Sequence, residues 1–252
     1  MHLWLERAAR QLLPPICLVC AERGEDGLDL CRACHRALPV HRDGCRSCAL
    51  PLPVPPAQGP EAGRNRDAGT GGALAPAQCG ACLRRQRPPP LDAVHAAFVY
   101  APPLDRLLPR FKFQHDLAAG RLLARLMADA FATAEPPQAL LPVPLHRGRL
   151  RCRGYDQALE LARALARQLQ LPLRPGALRR IRATAAQSEL DAAARRRNLR
   201  GAFQVAGGIP LPAHVALVDD VMTTGATLHA AAAALRRAGV ERVDAWVCAR
   251  VP

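Results

Sequence analysis

The stretch that decides the fold is Val215-Ala-Leu-Val-Asp219-Asp220-Val-Met-Thr223-Thr224-Gly225-Ala226-Thr227. An apolar strand delivers two adjacent carboxylates to its carboxyl end, where ligands of α/β sheets bind. A short Thr/Gly loop follows and opens a helix. The backbone N–H groups and hydroxyls of that loop, with the dipole of the helix behind it, form a phosphate cradle. Gly225 lets the backbone approach a phosphate closely. The plain alternative is an ordinary strand-to-helix turn capped by threonines. Two acids and then TTGAT after an apolar strand are more specific than such a turn requires, so the segment reads as a ligand site.

Working outward, the chain alternates strand and helix patterns from residue 94 onward, the signature of a parallel α/β sheet. VHAAFVY (94–100) reads as a strand, and LDRLLPRFKF (104–113) as a short helix broken at Pro109. DLAAGRLLARLMADAFATA (116–134) is an amphipathic helix by its three- and four-residue apolar steps, and ALLPVPL (139–145) a strand. A basic loop, HRGRLRCRG, leads to the helix YDQALELARALARQL. Residues 176–198 are polar and arginine-rich, a long connection or lid, with a solvated basic helix as the alternative. GAFQVAG is a strand or hairpin arm. HVALVDDV (214–221) is a buried strand, TTGATLHAAAAALRRAGV a loop and helix ended by Gly239, and RVDAWVCARV the last strand.

Ahead of this region the chain is of another kind. Eight of its ten cysteines form four pairs with one spacing: Cys17/Cys20, Cys31/Cys34, Cys45/Cys48 and Cys79/Cys82. Two thiolates on a tight knuckle bind one tetrahedral ion and two knuckles complete a site, so four pairs predict two structural zinc ions. A disulfide framework needs an oxidising compartment, and a thioredoxin-like motif needs its CxxC within a βαβ unit. Sequential pairing is favoured over a cross-braced one, because the 10 residues between Cys20 and Cys31 suffice for a small ribbon. The stretch between Cys48 and Cys79 holds a Gly-rich polar insertion. Cys248, within DAWVCARV, reads as a small buried hydrophobe. The expected layout is an N-terminal amphipathic helix at 1–13, a double zinc ribbon at 14–86, a boundary at RRQRPPP (84–90), and an α/β domain at 91–252.

At 252 residues the chain is long enough to bury a sizeable core, and 50% hydrophobic with 22% charged residues is a globular composition. No run approaches the roughly 18 apolar residues of a membrane span. Charges at Glu6, Arg7 and Arg10 interrupt what would be a signal core, so the cytoplasm is expected and membrane insertion is not. The net charge is +14, and Lys112 is the only lysine among 35 basic residues. Such a surface favours an anionic partner: phosphate groups, nucleotides or nucleic acid. Aromatic residues are 4% of the chain, which leaves few platforms for stacking bases.

VALVDDVMTTGATL closely resembles the phosphoribosyl-pyrophosphate (PRPP) motif of type I phosphoribosyltransferases. With LPPICLVC, Lys112 in FKF, LPVPLHRGRLRCRGYDQA and ATAAQSELDAAARRRNLRGAF, nearly the whole chain resembles the ComF family, competence-associated phosphoribosyltransferase relatives with an N-terminal double zinc ribbon. Two departures stand out. The family usually reads Arg-Gly-Phe-Asn-Gln where this chain has Arg153-Gly154-Tyr155-Asp156-Gln157, and the 58–76 insertion is long. Asp156 adds negative charge beside the expected pyrophosphate site.

The resemblance implies a type I phosphoribosyltransferase fold, a Rossmann-like parallel sheet with flanking helices and a lid, and Mg²⁺-dependent pentosyl (glycosyl) transfer to an unidentified acceptor. Asp219 and Asp220 would bind the ribose hydroxyls. Val221, Thr223, Thr224, Gly225, Ala226 and Thr227 would hold the 5-phosphate, with Lys112 also in the PRPP site. Arg153, with Arg147 or Arg151, would grip the pyrophosphate beside Mg²⁺. Arg182, Gln187, Arg195 and Asn198 would belong to the lid. The competing expectation is a non-catalytic PRPP-fold accessory of DNA uptake, bound to single-stranded DNA or to competence partners; self-association is left open. A glutamine-dependent amidophosphoribosyltransferase is excluded, since that class needs an N-terminal cysteine nucleophile and position 2 is His.

Overall fold

The computed structural model describes residues 14–25, 27–53, 77–182, 199 and 201–252. The N-terminal helix expected at 1–13, the 58–76 insertion, and Gln187, Arg195 and Asn198 fall outside them.

Four strands, β1 (Ala93–Val99), β2 (Ala139–Pro142), β5 (His214–Met222) and β6 (Arg242–Arg250), form a parallel sheet in the order β1-β6-β5-β2. The central strands are apolar on both faces, as helix-covered parallel strands must be. Val215 and Leu217 of β5 join one core cluster, and the alternating Ala216 and Val218 join the other. Helices α3 (Leu104–Phe113), α4 (Leu117–Phe131) and α6 (Gln157–Leu169) cover the second face. α7 (Ala226–Arg237) covers the first, together with the antiparallel pair β3 (Leu178–Arg180) and β4 (Phe203–Val205). Among the described residues no helix is long and apolar enough to cross a membrane.

Two local expectations change. α3 runs unbroken through Pro109, because Leu104, Leu107, Leu108 and Phe111 are all buried on one side and hold the helix against the missing hydrogen bond. The basic loop after β2 is a helix, α5 (Arg147–Arg153). His146 caps its start by accepting from Gly148 N at 3.2 Å, and Gly154 ends it at φ 73°.

The cysteine-rich half, with its short helices α1 (Arg32–Arg36) and α2 (Gly80–Leu83), does not stand apart from the sheet. Residues 39–46 lie antiparallel along β1: Val99 N donates to Pro39 O at 2.8 Å, His41 N to Ala97 O at 3.0 Å and Val94 N to Arg46 O at 2.8 Å. The edge of the sheet is thereby covered. Cys45, Cys48, Cys79 and Cys82 share one core cluster with Val94, Leu217 and Val247, and Cys17 and Cys31 share the other with Phe98 and Trp246. The proline-rich stretch at 84–90 is a boundary in sequence, while the two cores are continuous.

Candidate functional site

β5 carries Asp219 and Asp220 near its carboxyl end, and both carboxylates turn back on their own strand. Asp219 Oδ1 accepts from Asp220 N at 2.9 Å, and Asp220 Oδ1 from Val221 N at 2.7 Å. Lys112 at the end of α3 places Nζ 2.9 Å from Asp220 Oδ2. Burial, followed by the charge of Asp220, pushes the Asp219 carboxyl up to about 8 against the pull of Lys112. An acid pair short of positive charge, with acceptors pointing into a cleft, is suited to a diol or a cation.

The next five residues turn into α7. Gly225 is the cap at φ 72°, and a Cβ there would lie 2.4 Å from Met222 Cε. Glycine is therefore favoured by conformation, while the space is taken by the flexible end of the Met222 side chain. Thr224 Oγ1 accepts from Ala226 N at 3.4 Å. Thr223, Gly225, Ala226 and Thr227, with Asp219 and Val221, enclose a small pocket of about 30 Å³ at the helix start.

Beside it opens a cleft of about 580 Å³ whose lining carries four basic side chains, Lys112, Arg149, Arg153 and Arg180, and three acids, Asp156, Asp219 and Asp220. Arg149 and Arg153 are four residues apart and share one face of α5. Arg147 and Arg151, on another face of the same helix, are exposed and lie outside the lining. Arg153 is held in place: its guanidinium sits 5.3 Å from the Phe113 ring centre and donates to Gln157 Oε1 at 3.2 Å. Gln157 is itself buried and donates onward to Lys112 O at 3.4 Å. Asp156 caps α6, its carboxylate accepting from Leu159 N and from Leu145 N, both at 3.1 Å. Burial raises its pKa. Its work is thus to fix the backbone on both sides of α5, a task its carboxylate performs as a plain acceptor. Arg180 enters from the hairpin, buried, 5.6 Å from the Phe203 ring centre. Burial, with Arg149 nearby, lowers it to about 10.

The cysteines gather as two sets, Cys17/Cys20/Cys31/Cys34 and Cys45/Cys48/Cys79/Cys82, with the four sulfurs of each within 4.8 Å of one another. The pairing is sequential. Sulfur separations of 3.6 Å (Cys20–Cys31, Cys20–Cys34) and 3.7 Å (Cys48–Cys79) match the edge of a tetrahedron of about 2.3 Å zinc–sulfur bonds. Although burial raises them, backbone N–H groups aimed at the sulfurs bring Cys17 down to about 6 and Cys45 to about 7. Both sets fit zinc. Cys248 is buried in the sheet core, as expected.

Comparison with known proteins agrees with this division. A double zinc ribbon domain model matches residues 8–83, and a phosphoribosyl transferase domain model matches residues 156–252. DNA utilization protein YhgH of Escherichia coli K12 is 32% identical over 248 residues, 94% of this chain and 98% of that one. Competence protein F of Haemophilus influenzae is 40% identical over 181 residues, 68% and 78% of the two chains. The chain belongs to the ComF family. Competence protein ComFC of Bacillus subtilis is a further relative, 29% identical over 146 residues, 57% and 58% of the two.

Set against this ComF structure, the sequence expectations divide cleanly. Asp219, Asp220, Val221, Thr227, Lys112 and Arg153 meet in the cleft, and Thr223, Gly225 and Ala226 line the small pocket beside it. Thr224 faces a neighbouring groove with Arg85 and His229. Arg182 is exposed just past β3. Sequence reasoning passed over Arg149, Arg180, Phe113 and Gln157. The helical spacing of Arg149 and Arg153 was a usable signal once α5 is treated as a helix; nothing near Arg180 announces that its strand faces the cleft.

Proposed function

We propose that the cleft binds PRPP and supports transfer of its phosphoribosyl group to an acceptor. One observation carries this reading: the acid pair at the end of β5 and the turn at Thr223–Thr227 sit together, opposite a wall of arginines. The turn would hold the 5-phosphate, Asp219 and Asp220 the ribose hydroxyls, and Arg149, Arg153 and Arg180 the pyrophosphate. In transfer, the bond from the anomeric carbon to pyrophosphate breaks with its electron pair leaving on pyrophosphate. A bond to the acceptor forms, and the acceptor's proton leaves to solvent. The chain's own part is to place the ribose and to stabilise the departing charge. Arg153, braced by Phe113 and Gln157, is already positioned for that role. Mg²⁺ would add positive charge at the pyrophosphate, held chiefly through substrate oxygens and waters. Reduced thiols at both zinc sites fit a cytoplasmic location.

Calorimetric titration with PRPP and Mg²⁺ tests the proposal. Saturable Mg²⁺-dependent binding that disappears in Asp219→Asn/Asp220→Asn is expected; equal affinity in both proteins would place the site elsewhere.

A second reading is favoured by the names of the relatives, which speak of competence and DNA utilization, and by the +14 net charge. In it the ComF chain serves DNA uptake or use by binding single-stranded DNA. Contacts of arginine with phosphate would make that binding strongly salt-dependent. It should also survive the Asp219/Asp220 substitutions. Anisotropy of labelled single-stranded DNA across a salt series, with and without PRPP, separates the readings. Tight high-salt binding abolished by PRPP would make the cleft itself the nucleic-acid site.

A further inference from the structure

Arg250, the last residue of β6, is buried, and among the described residues no carboxylate pairs with it. Its guanidinium instead spans two backbone carbonyls far apart in sequence. Nε donates to Cys48 O at 2.7 Å, and a terminal nitrogen donates to Met222 O at 3.4 Å. Cys48 belongs to the second zinc set, and Met222 immediately precedes Thr223 of the phosphate turn. Met222 is itself pinned: Val251 N donates to its carbonyl at 3.0 Å, and its Cε fills the space beneath Gly225 that a Cβ would occupy. Met222, Ala226 and Leu228 also share a core cluster with Cys45, Cys48, Cys79 and Cys82. A buried guanidinium met only by carbonyls is costly to keep. A zinc tetrathiolate, with its formal charge of −2, would supply the missing counter-charge on the Cys48 side.

The geometry points to Arg250 as a positioning residue that couples the Cys45/Cys48/Cys79/Cys82 zinc site to the phosphate turn, so that loss of zinc there lowers the affinity of the cleft for PRPP. The coupling rests on the PRPP reading for its ligand, and on the Arg250 bridge alone for its mechanism. Zinc holds the knuckle carbonyl of Cys48 in place, Arg250 carries that position to Met222, and Met222 sets the turn. Because coupling free energies are reciprocal, bound PRPP must in turn raise the affinity of this site for zinc by the same factor, expected here as slower zinc release.

Three measurements on the full-length protein test this. Zinc release to a chromogenic chelator selective against Mg²⁺ is followed with and without Mg²⁺ and PRPP. In the wild type PRPP should slow release of one of the two zinc ions by about fivefold or more, and Arg250→Gln should remove the slowing while leaving the zinc content unchanged. Hydrogen exchange of residues 222–228, read without PRPP, should quicken when zinc is stripped from the wild type, and by more than exchange at residues 161–166 of α6. Calorimetry on zinc-loaded wild type reports whether PRPP binds at all. If it does not, the PRPP reading fails, and the exchange result still decides the bridge. If PRPP binds and neither zinc release nor exchange at 222–228 responds, the coupling is overturned. Exchange that quickens equally at 161–166 overturns it too, because the effect would then be general loosening of the fold. The wild-type measurements stand even if Arg250→Gln fails to fold.

Discussion

The two ends of β5 hold acids under opposite regimes. At the amino end, Asp244 of the neighbouring strand is 1% exposed, and its charge is met by His214 at 2.9 Å and Arg242 at 3.0 Å. Arg242 goes on to Glu135 at 2.7 Å. At the carboxyl end, Asp219 and Asp220 stand side by side with Lys112 as the ammonium at hand, and Asp219 is pushed up to about 8 by burial and by its neighbour. One end neutralises its carboxylates within the fold. The other leaves them for a ligand. A single strand thus shows how a site is built at the expense of local stability, while the opposite end of the same sheet recovers it.

The largest expected effect tests the ligand end. Asp219→Asn with Asp220→Asn removes charge-assisted acceptors worth about 1.5–3 kcal/mol each, so PRPP affinity should fall by two or more orders of magnitude in calorimetry. Thermal stability should fall by much less, because the one ion pair lost among the described residues of the free protein is Lys112–Asp220. A loss of stability as great as the loss of affinity would erase the contrast between the two ends.

Next comes the stabilising end. Asp244→Ala leaves Arg242 and His214 without their buried partner, and breaking a buried pair costs about 3–5 kcal/mol. Urea unfolding should show that loss. PRPP affinity should stay unchanged at concentrations where the variant is folded, since Asp244 lies at the far end of the strands.

How much of this was legible differs by residue and for physical reasons. The continuous apolar run ahead of Asp219 and the TTGAT turn announced β5 and its cleft, because both depend on local sequence. The cysteine spacing announced the zinc sites for the same reason. What the sequence did not disclose depends on tertiary packing. The arginines of HRGRLRCRG look equivalent on paper, and only the winding of α5 turns Arg149 and Arg153 inward and Arg147 and Arg151 outward. Arg180 joins the cleft because β3 pairs with β4, some twenty residues further on. The proline-rich boundary at 84–90 gave no hint that residues 39–46 return to pair with β1.

A smaller effect sharpens the comparison through pH. Folding raises the Asp219 carboxyl from 3.8 to about 8. The folded chain therefore binds this proton more tightly than the unfolded one, and the group's contribution to stability is lost as pH rises between those values. Asp219→Asn alone should stabilise the free protein near pH 8, by an amount that shrinks as the pH is lowered. Melting temperatures compared between about pH 6 and 8.5 check it; a constant offset would mean that relieved packing, and not charge, explains the gain.

The amino end should titrate the other way, and His95 is its probe. The ring is largely buried in β1, edge-on to Phe131 and Trp246 at 6.5 Å, with Asp244, Arg242, Arg46 and His214 as the charged or titratable groups around it. Burial lowers its pKa from 6.5, outweighing the pull of Asp244. The unfolded chain then takes up the proton first, so the stability this group supports is full above pH 6.5 and falls as the pH drops below it. Replacing it with leucine keeps an apolar filling between Phe131 and Trp246 and removes the titration. Between pH 7.5 and 5.5 the wild type should lose more stability than His95→Leu, by a difference below about 1 kcal/mol. All other groups are common to both proteins, so the difference isolates the one ring. Parallel curves would show that the ring accepts its proton in place. Diverging curves would complete the contrast, with acid weakening the end that holds the sheet together and easing the crowding at the end that binds.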